Sequence, residues 1–372
     1  MRKLVFFWDN FGPLHNDRCE AVARKFSGIC QVVGLELGGK SNVYGWEQTN
    51  IQKFIKHTLV QGKSIDQIGW MTKFTKTLRA CLSMGRDTHC FMCHFDDSAV
   101  LAVSTILRLL GRRVYVMGCS KFDDMERNRL KEVAKSVFYA PYNGAVGSGT
   151  RSRDYMRFMG VRASHVKTPY NAVSLRRIRD LAGAPPAPGG MSFCDRHFTI
   201  VARLVPKKNI SMGLKAMALY ARSTLNPRLL HIYGNGPLES ELRQEARNED
   251  IEHLVRFHGF LQSDEICKAY GSSLALLLPS IEEQFGNVVP ESLAMGLPII
   301  LSDRCGARDS LVRNGVNGFV IESDNPDGTA FFMRLLSEDE QLWRRMCLAS
   351  QNFSEQADSE RFAEAVESLI SA

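Results

Sequence analysis

Short apolar runs alternate with amphipathic stretches along most of the chain. In the first half the runs are Leu4–Trp8, Gln31–Leu35, Thr88–Cys93, Arg113–Met117 and Ser136–Ala140. Cys19, Val22, Ala23 and Phe26 recur at helical spacing after His15, and Ala99–Leu110 reads as an apolar helix. The second half repeats the rhythm with Phe198–Ala202, Leu229–Tyr233, Val255–His258, Leu274–Leu278 and Pro298–Leu301 as strands. Ile210, Leu214, Met217 and Ala218 mark one face of a helix after the first of these, and Phe362, Val366, Leu369 and Ile370 mark a closing helix. Alternating β and α units of this kind predict parallel sheets covered on both faces.

The rhythm breaks at Ala182–Gly190, where three prolines and three glycines fall within nine residues, a composition that continues neither a helix nor a central strand. The expected organisation is therefore a first domain over 1–182, a linker over 183–190, a second domain over 191–352 and a closing helix over 353–372. A length of 372 residues accommodates two such domains. Ligands of doubly wound sheets bind at the carboxyl ends of the strands, which directs attention to a cleft between the two domains.

Composition excludes little else. At 44% hydrophobic and 23% charged residues the chain is an ordinary globular one, and no apolar run approaches the roughly 20 residues that span a bilayer. Met1-Arg2-Lys3 before Leu4–Trp8 mimics a signal peptide, but Asp9 and Asn10 cut the apolar stretch short, so it reads as a buried strand. Ten cysteines without a secretory signal point to reduced thiols and a cytosolic setting. Cys90 and Cys93, followed by His94, invite a zinc or redox reading. They lie in an apparent strand, where residues three apart face opposite ways, so buried core thiols are the better reading. Charge is uneven: residues 1–185 carry a net +14 and residues 186–372 a net −7. The basic half is expected to face something anionic, with Lys53, Lys56, Lys63, Lys73, Lys76 and Arg79 as candidate contacts to an anionic membrane. Nucleic acid is the weaker partner, because no basic stripe interleaves with aromatics and no recognition-helix or zinc-finger signature is present.

Three segments carry chemistry. Val201–Asn209 leaves a strand, turns at Pro206 and enters a helix, so Arg203 and Lys208 stand at the mouth of a sheet as a planar fork and a point charge suited to a diphosphate. Gly234-Asn-Gly236 with Pro237 follows the next strand as a tight turn. The stretch Pro279–Pro298 runs from a strand through Glu283, Gly286 and Asn287 to a helix near Pro290 with Glu291. Its two carboxylates can accept hydrogen bonds from vicinal hydroxyls, and its glycine exposes backbone amides.

Together these segments resemble the large family of retaining glycosyltransferases numbered four in the carbohydrate-enzyme classification. The shared motifs are Arg-Leu-x-x-x-Lys (Arg203 to Lys208), Gly-x-Gly-Pro (Gly234 to Pro237), Phe-x-Gly (Phe257 to Gly259) and Glu-x-Phe-Gly-x-x-x-x-Glu (Glu283 to Glu291), all in the family's order. The resemblance covers residues 196–325 and is fainter before the linker. It implies the GT-B fold, two Rossmann-like doubly wound α/β domains facing each other across a cleft, with the acceptor on the N-terminal side. It further implies that Arg203 and Lys208 neutralise the donor diphosphate, Glu283 contacts the donor sugar and Glu291 the ribose. Gly234, Gly236, His258, Phe285, Gly286, Asn287 and Val288 would complete the donor pocket, with Gly12 from the N-terminal half against the diphosphate. The family's usual N-domain histidine is missing: Met117-Gly118-Cys119 holds its place, and His94 or His15 is the candidate substitute.

The expected reaction is sugar transfer from a nucleoside-diphosphate sugar to a hydroxyl with retention of anomeric configuration, without metal or cofactor. By resemblance, the acceptor is a glycan or lipid-linked intermediate of cell-surface polysaccharide assembly, met by a cytoplasmic enzyme peripheral to the inner face of the plasma membrane. The alternatives on the same fold are a nucleotide-sugar epimerase and a phosphorylase. From other classes, a nucleic-acid-binding protein and an inactive sugar-nucleotide sensor stand beside them.

Overall fold

The structure, a computed structural model, describes residues 1–40, 53–124 and 128–371. These divide into two compact units, Met1–Ser174 with Asp358–Ala372, and Leu175–Ala357. The first is built on seven parallel strands, β1 (Arg2–Trp8), β2 (Cys30–Glu36), β3 (Ile55–Thr58), β4 (Thr88–Met92), β5 (Arg113–Gly118), β6 (Gly144–Gly147) and β7 (Val166–Lys167), in the order β3-β2-β1-β4-β5-β6-β7. Its helices are α1 (Pro13–Lys25), α2 (Trp70–Ser83), α3 (Ser98–Leu109), α4 (Arg129–Tyr139), α5 (Thr150–Phe158) and the terminal α14 (Ser359–Ile370). Leu4–Trp8 is an unbroken apolar run because both its faces are buried. Phe6 and Trp8 join the core of α1 and α14, whereas Val5 and Phe7 join that of α2 and α3.

The second unit holds β8 (His197–Val201), β9 (Leu230–Tyr233), β10 (Val255–Gly259), β11 (Ser273–Leu278), β12 (Ile299–Ser302) and β13 (Gly318–Ile321), also parallel, in the order β10-β9-β8-β11-β12-β13. Around it lie α6 (Leu175–Ala182), α7 (Ile210–Ser223), α8 (Glu239–Asn248), α9 (Ser263–Gly271), α10 (Val288–Ala294), α11 (Arg308–Leu311), α12 (Pro326–Glu338) and α13 (Glu340–Ser354). In each sheet the strand order reverses once, between β1 and β4 and between β8 and β11. These are the switch points at which loops splay apart and leave room for a ligand.

Packing divides the chain differently from the expected boundaries. Helix α6, placed in the first domain by the sequence, packs on α9 in the second unit. The proline-rich stretch after it is no free tether. Ala187 is buried, its N–H donates to the Met295 carbonyl at 2.8 Å, and its own carbonyl accepts from Gln351 Nε2 at 2.6 Å. The guanidinium of Arg196 reaches the carbonyls of Gly189, Met191, Gly271 and Ser273. At the other end the chain returns to the first unit at Asp358, later than residue 353, where Ser359 N–H donates to the Val173 carbonyl. One run changes type: Ser136–Ala140 closes helix α4, and the neighbouring strand is the Gly144–Gly147 segment, too short and small for its pattern to announce it.

Candidate functional site

In the second unit, the loop after β8 and the loop after β11 flank the switch point and are stitched together. Asn209, in the left-handed region at φ 53°, donates through Nδ2 to the carbonyls of Pro279 (3.1 Å) and Ser323 (2.7 Å). The Lys207 carbonyl accepts from the Ile281 and Glu282 amides. On this frame Lys208 Nζ is hydrogen-bonded to Glu283 Oε2, each side chain only 15% exposed. Seventy-five residues apart in sequence, the two groups form one charge-assisted contact at the sheet's carboxyl edge. Arg203 stands half-buried two residues beyond the end of β8.

The Gly286 turn has φ 95°, a conformation that strains any side chain, and a Cβ there would crowd Cys305 Sγ at 3.1 Å. Phe285 lies in the core at 3% exposure, its carbonyl taken by the Ala307 amide and Cys305 Sγ, so it shapes the turn from below. Asn287 and Val288, both half-buried, lead into α10. One turn on, Glu291 Oε2 accepts from Tyr270 Oη at 3.2 Å, which fixes that carboxylate. The loop after β9 approaches just as closely: Gly234 at φ 139° donates to the Gly259 carbonyl at 2.7 Å, and a Cβ on it would collide with the Ala202 carbonyl. Gly236 is pressed against the Leu204 carbonyl in the same way.

His258 is exposed, bonded through Nε2 to His231 Nδ1 at 3.1 Å and stacked on Tyr233 at 4.5 Å. His231 in turn stacks on His197 at 3.7 Å. Burial, with the adjacent imidazoles adding to it, pushes His197 down to about 3 and His231 to about 4, so the row stays neutral near pH 7. The sequence motifs do not single out His197, His231 or Tyr233. The alternate spacing of His231 and Tyr233 along one strand is the only local signal of them.

In the first unit, Gly12 caps α1 and its N–H donates to His15 Nδ1 at 3.0 Å. Burial holds His15 well below the usual imidazole range, leaving it a neutral acceptor tilted against the Trp8 ring with centroids 4.7 Å apart. His94 follows β4 at φ 59°, a conformation uncommon for a residue with a side chain, and its Nε2 lies 3.1 Å from Asp9 Oδ1 at the end of β1. Burial alone would lower His94, but the bond and charge of Asp9 outweigh it and raise the imidazole. Burial alone would raise Asp9, and His94 carries it below the usual value. The two side chains thus form a hydrogen-bonded pair at the switch point of this sheet, each favouring the other's charged form. No motif points to Asp9, because only the β1–β4 adjacency brings it to His94.

Cys90 belongs to the core under α2 and α3, while Cys93 sits 3.6 Å from Tyr170 Oη on the other side of the sheet. Among the described residues no three His, Cys, Asp or Glu side chains converge as metal ligands do. The basic candidates of the first half are not all available. Lys56 is paired with Glu36 at 3.1 Å and Lys73 with Asp97 at 2.7 Å, so those two charges are engaged within the fold. Among the described residues no helix is long and apolar enough to cross a membrane.

The glycosyl transferases group 1 family matches residues 195–360. An uncharacterized glycosyltransferase of Methanocaldococcus jannaschii is 30% identical over 150 residues, 40% of this chain and 38% of that one. The amylovoran biosynthesis glycosyltransferase AmsK of Erwinia amylovora is 27% identical over 146 residues, 38% of this chain and 35% of its own. The matched stretches thus span little over a third of these relatives' length. Over the whole chain, HepE of Anabaena, solved in complex with UDP, superposes with a TM-score of 0.68 at 16% identity and full coverage of both chains, a likeness of fold. The two parallel sheets of seven and six strands are those of GT-B glycosyltransferase structures.

Proposed function

We propose that the chain, whose residues 195–360 match the glycosyl transferases group 1 family, transfers a sugar from a nucleoside-diphosphate donor to a hydroxyl with retention of configuration. The observation that carries this reading is the Lys208–Glu283 contact between the two loops at the β8/β11 switch point. As the bond between the anomeric carbon and the diphosphate oxygen breaks, negative charge grows on the leaving group. Lys208 and Arg203 offset it, in the place where other enzymes set a metal ion, so the reading calls for no metal and no cofactor. Glu283, oriented by Lys208, accepts hydrogen bonds from the donor sugar, and Glu291, oriented by Tyr270, accepts those of the ribose. The acceptor oxygen bonds to the anomeric carbon on the face the diphosphate leaves, and its proton passes to a phosphate oxygen. No protein nucleophile is required.

The likeness to HepE in complex with UDP makes a UDP-sugar the first donor to try. The relative of amylovoran biosynthesis supports a glycan or lipid-linked acceptor in polysaccharide assembly. The net positive charge of residues 1–185 supports work at an anionic membrane surface.

UDP-, GDP- and ADP-sugars are to be screened for thermal stabilisation, and the best donor assayed for transfer by wild type and Glu283→Ala. The expected result is one stabilising class and at least about a 100-fold loss of turnover in the variant. Undiminished turnover in a folded Glu283→Ala protein refutes the donor assignment. Conversion of the donor with no acceptor present replaces the reading with an epimerase.

A further inference from the structure

Where the loop from β4 ends at the start of α3, it holds a residue of another element that the donor chemistry does not use. Trp70, the first residue of α2, donates through its indole N–H to Ser98 Oγ, the first residue of α3, at 3.0 Å. Its ring stacks on Phe74 one helical turn later, with centroids 5.1 Å apart and an angle of 11°. The helix it heads is held to the same loop by Lys73, whose Nζ lies 2.7 Å from Asp97, the N-cap of α3. Two helix starts and a stacked ring thus immobilise a large aromatic side chain that remains 45% exposed. Unexplained exposure of a mobile tryptophan would mean little. A tryptophan whose orientation is already fixed has lost its rotamer entropy before any ligand arrives.

The position matters as much as the rigidity. The loop His94–Asp97 is closed by a hydrogen bond from the Asp97 amide to the His94 carbonyl at 3.0 Å. Its first residue carries the hydrogen bond with Asp9, its tip presents the exposed carboxylate of Asp96, and Ser98 just beyond it holds the indole. All of them lie at the carboxyl edge of the first sheet, beside its switch point. An exposed indole whose hydrogen-bond partner lies two residues after an exposed carboxylate fits a saccharide. One side of a pyranose ring is a flat array of C–H groups that packs on an aromatic face, and its equatorial hydroxyls donate to a carboxylate. A membrane anchor would be built otherwise. Interfacial tryptophans keep the N–H toward headgroups, whereas here it is consumed inside the fold, and Asp96 repels anionic lipid.

We propose that Trp70 and Asp96 form an acceptor-saccharide subsite, the indole taking the C–H face of a sugar ring and the carboxylate its hydroxyls. This rests on the glycosyltransferase reading and adds where its acceptor binds. Saturation-transfer NMR on the full chain, with the methyl β-glycosides of glucose, galactose and N-acetylglucosamine as probes, tests it. At least one glycoside should bind wild type. Trp70→Ala should weaken that binding about three- to tenfold, Trp70→Phe less, and Asp96→Asn should weaken it also. Stabilisation by UDP, measured alongside, should be the same in all four proteins. Wild-type-like glycoside binding in Trp70→Ala, or no glycoside bound by wild type, overturns the proposal. So does a loss of sedimentation with phosphatidylglycerol vesicles in Trp70→Ala with glycoside binding intact. Absence of UDP stabilisation in every protein, wild type included, would instead remove the donor reading on which it rests.

Discussion

Two hydrogen-bonded pairs with different partners organise the residue scale. Lys208 and Glu283 come from motifs whose order in the chain already associates them, so both are legible in the sequence. Asp9 and His94 are 85 residues apart and belong to no shared motif. His94 alone could be singled out, and its partner emerges only from strand order. The consequence for proton binding is definite. With a folded pKa raised above that of the unfolded chain, His94 contributes stability that is fully present below the ordinary imidazole value near 6.5 and is lost as pH rises through the folded value. Asp9→Asn is therefore expected to move the His94 NMR titration to lower pH. It should also destabilise the protein more in mildly acidic buffer than in alkaline buffer. An unshifted His94 titration, or a loss of stability independent of pH, would show that the contact does not hold the charge. The left-handed backbone of His94 is a further cost that the surrounding turn sustains, as is common where a side chain is held for function.

At the scale of elements, the alternating apolar runs anticipate most of the buried strands because strands buried on both faces read as unbroken hydrophobic stretches. Where that signal is weak, the pattern misleads. Gly144–Gly147 is a strand of small residues, and the more apolar Ser136–Ala140 beside it finishes a helix. Ala182–Gly190 is legible as a break in secondary structure but not as a packed segment. Its order comes from the bonds of Ala187 to Met295 and Gln351 and, at Gly189, from Arg196, a single residue ahead of β8 whose guanidinium, 1% exposed as a residue, serves four carbonyls in all and lies over the Trp343 ring. Nothing in the local pattern marks an arginine before a strand as buried. Arg196→Met would keep the bulk and leave those carbonyls without a donor, and it is expected to cost about 3–5 kcal/mol in urea unfolding. A change under about 1 kcal/mol would mean that the segment is held by its apolar contacts instead.

At the scale of the whole molecule, the repeated βα rhythm is enough to anticipate two parallel sheets, and both carry their candidate residues on loops at the carboxyl ends of strands where the order reverses. The unit boundaries are not legible, because α6 and α14 pack by complementarity of their apolar faces with partners distant in sequence, and connectivity carries no record of that choice. Function follows from the loops rather than the sheets, since this architecture hosts many activities. The proposed donor binding therefore rests on one local arrangement, the lysine and glutamate joined across the second sheet's switch point. Calorimetric titration of UDP into wild type and Lys208→Ala decides whether that arrangement holds a diphosphate. Measurable binding to wild type is expected, with a dissociation constant at least about tenfold higher in the folded variant. Equal affinity in the two proteins would contradict the assignment.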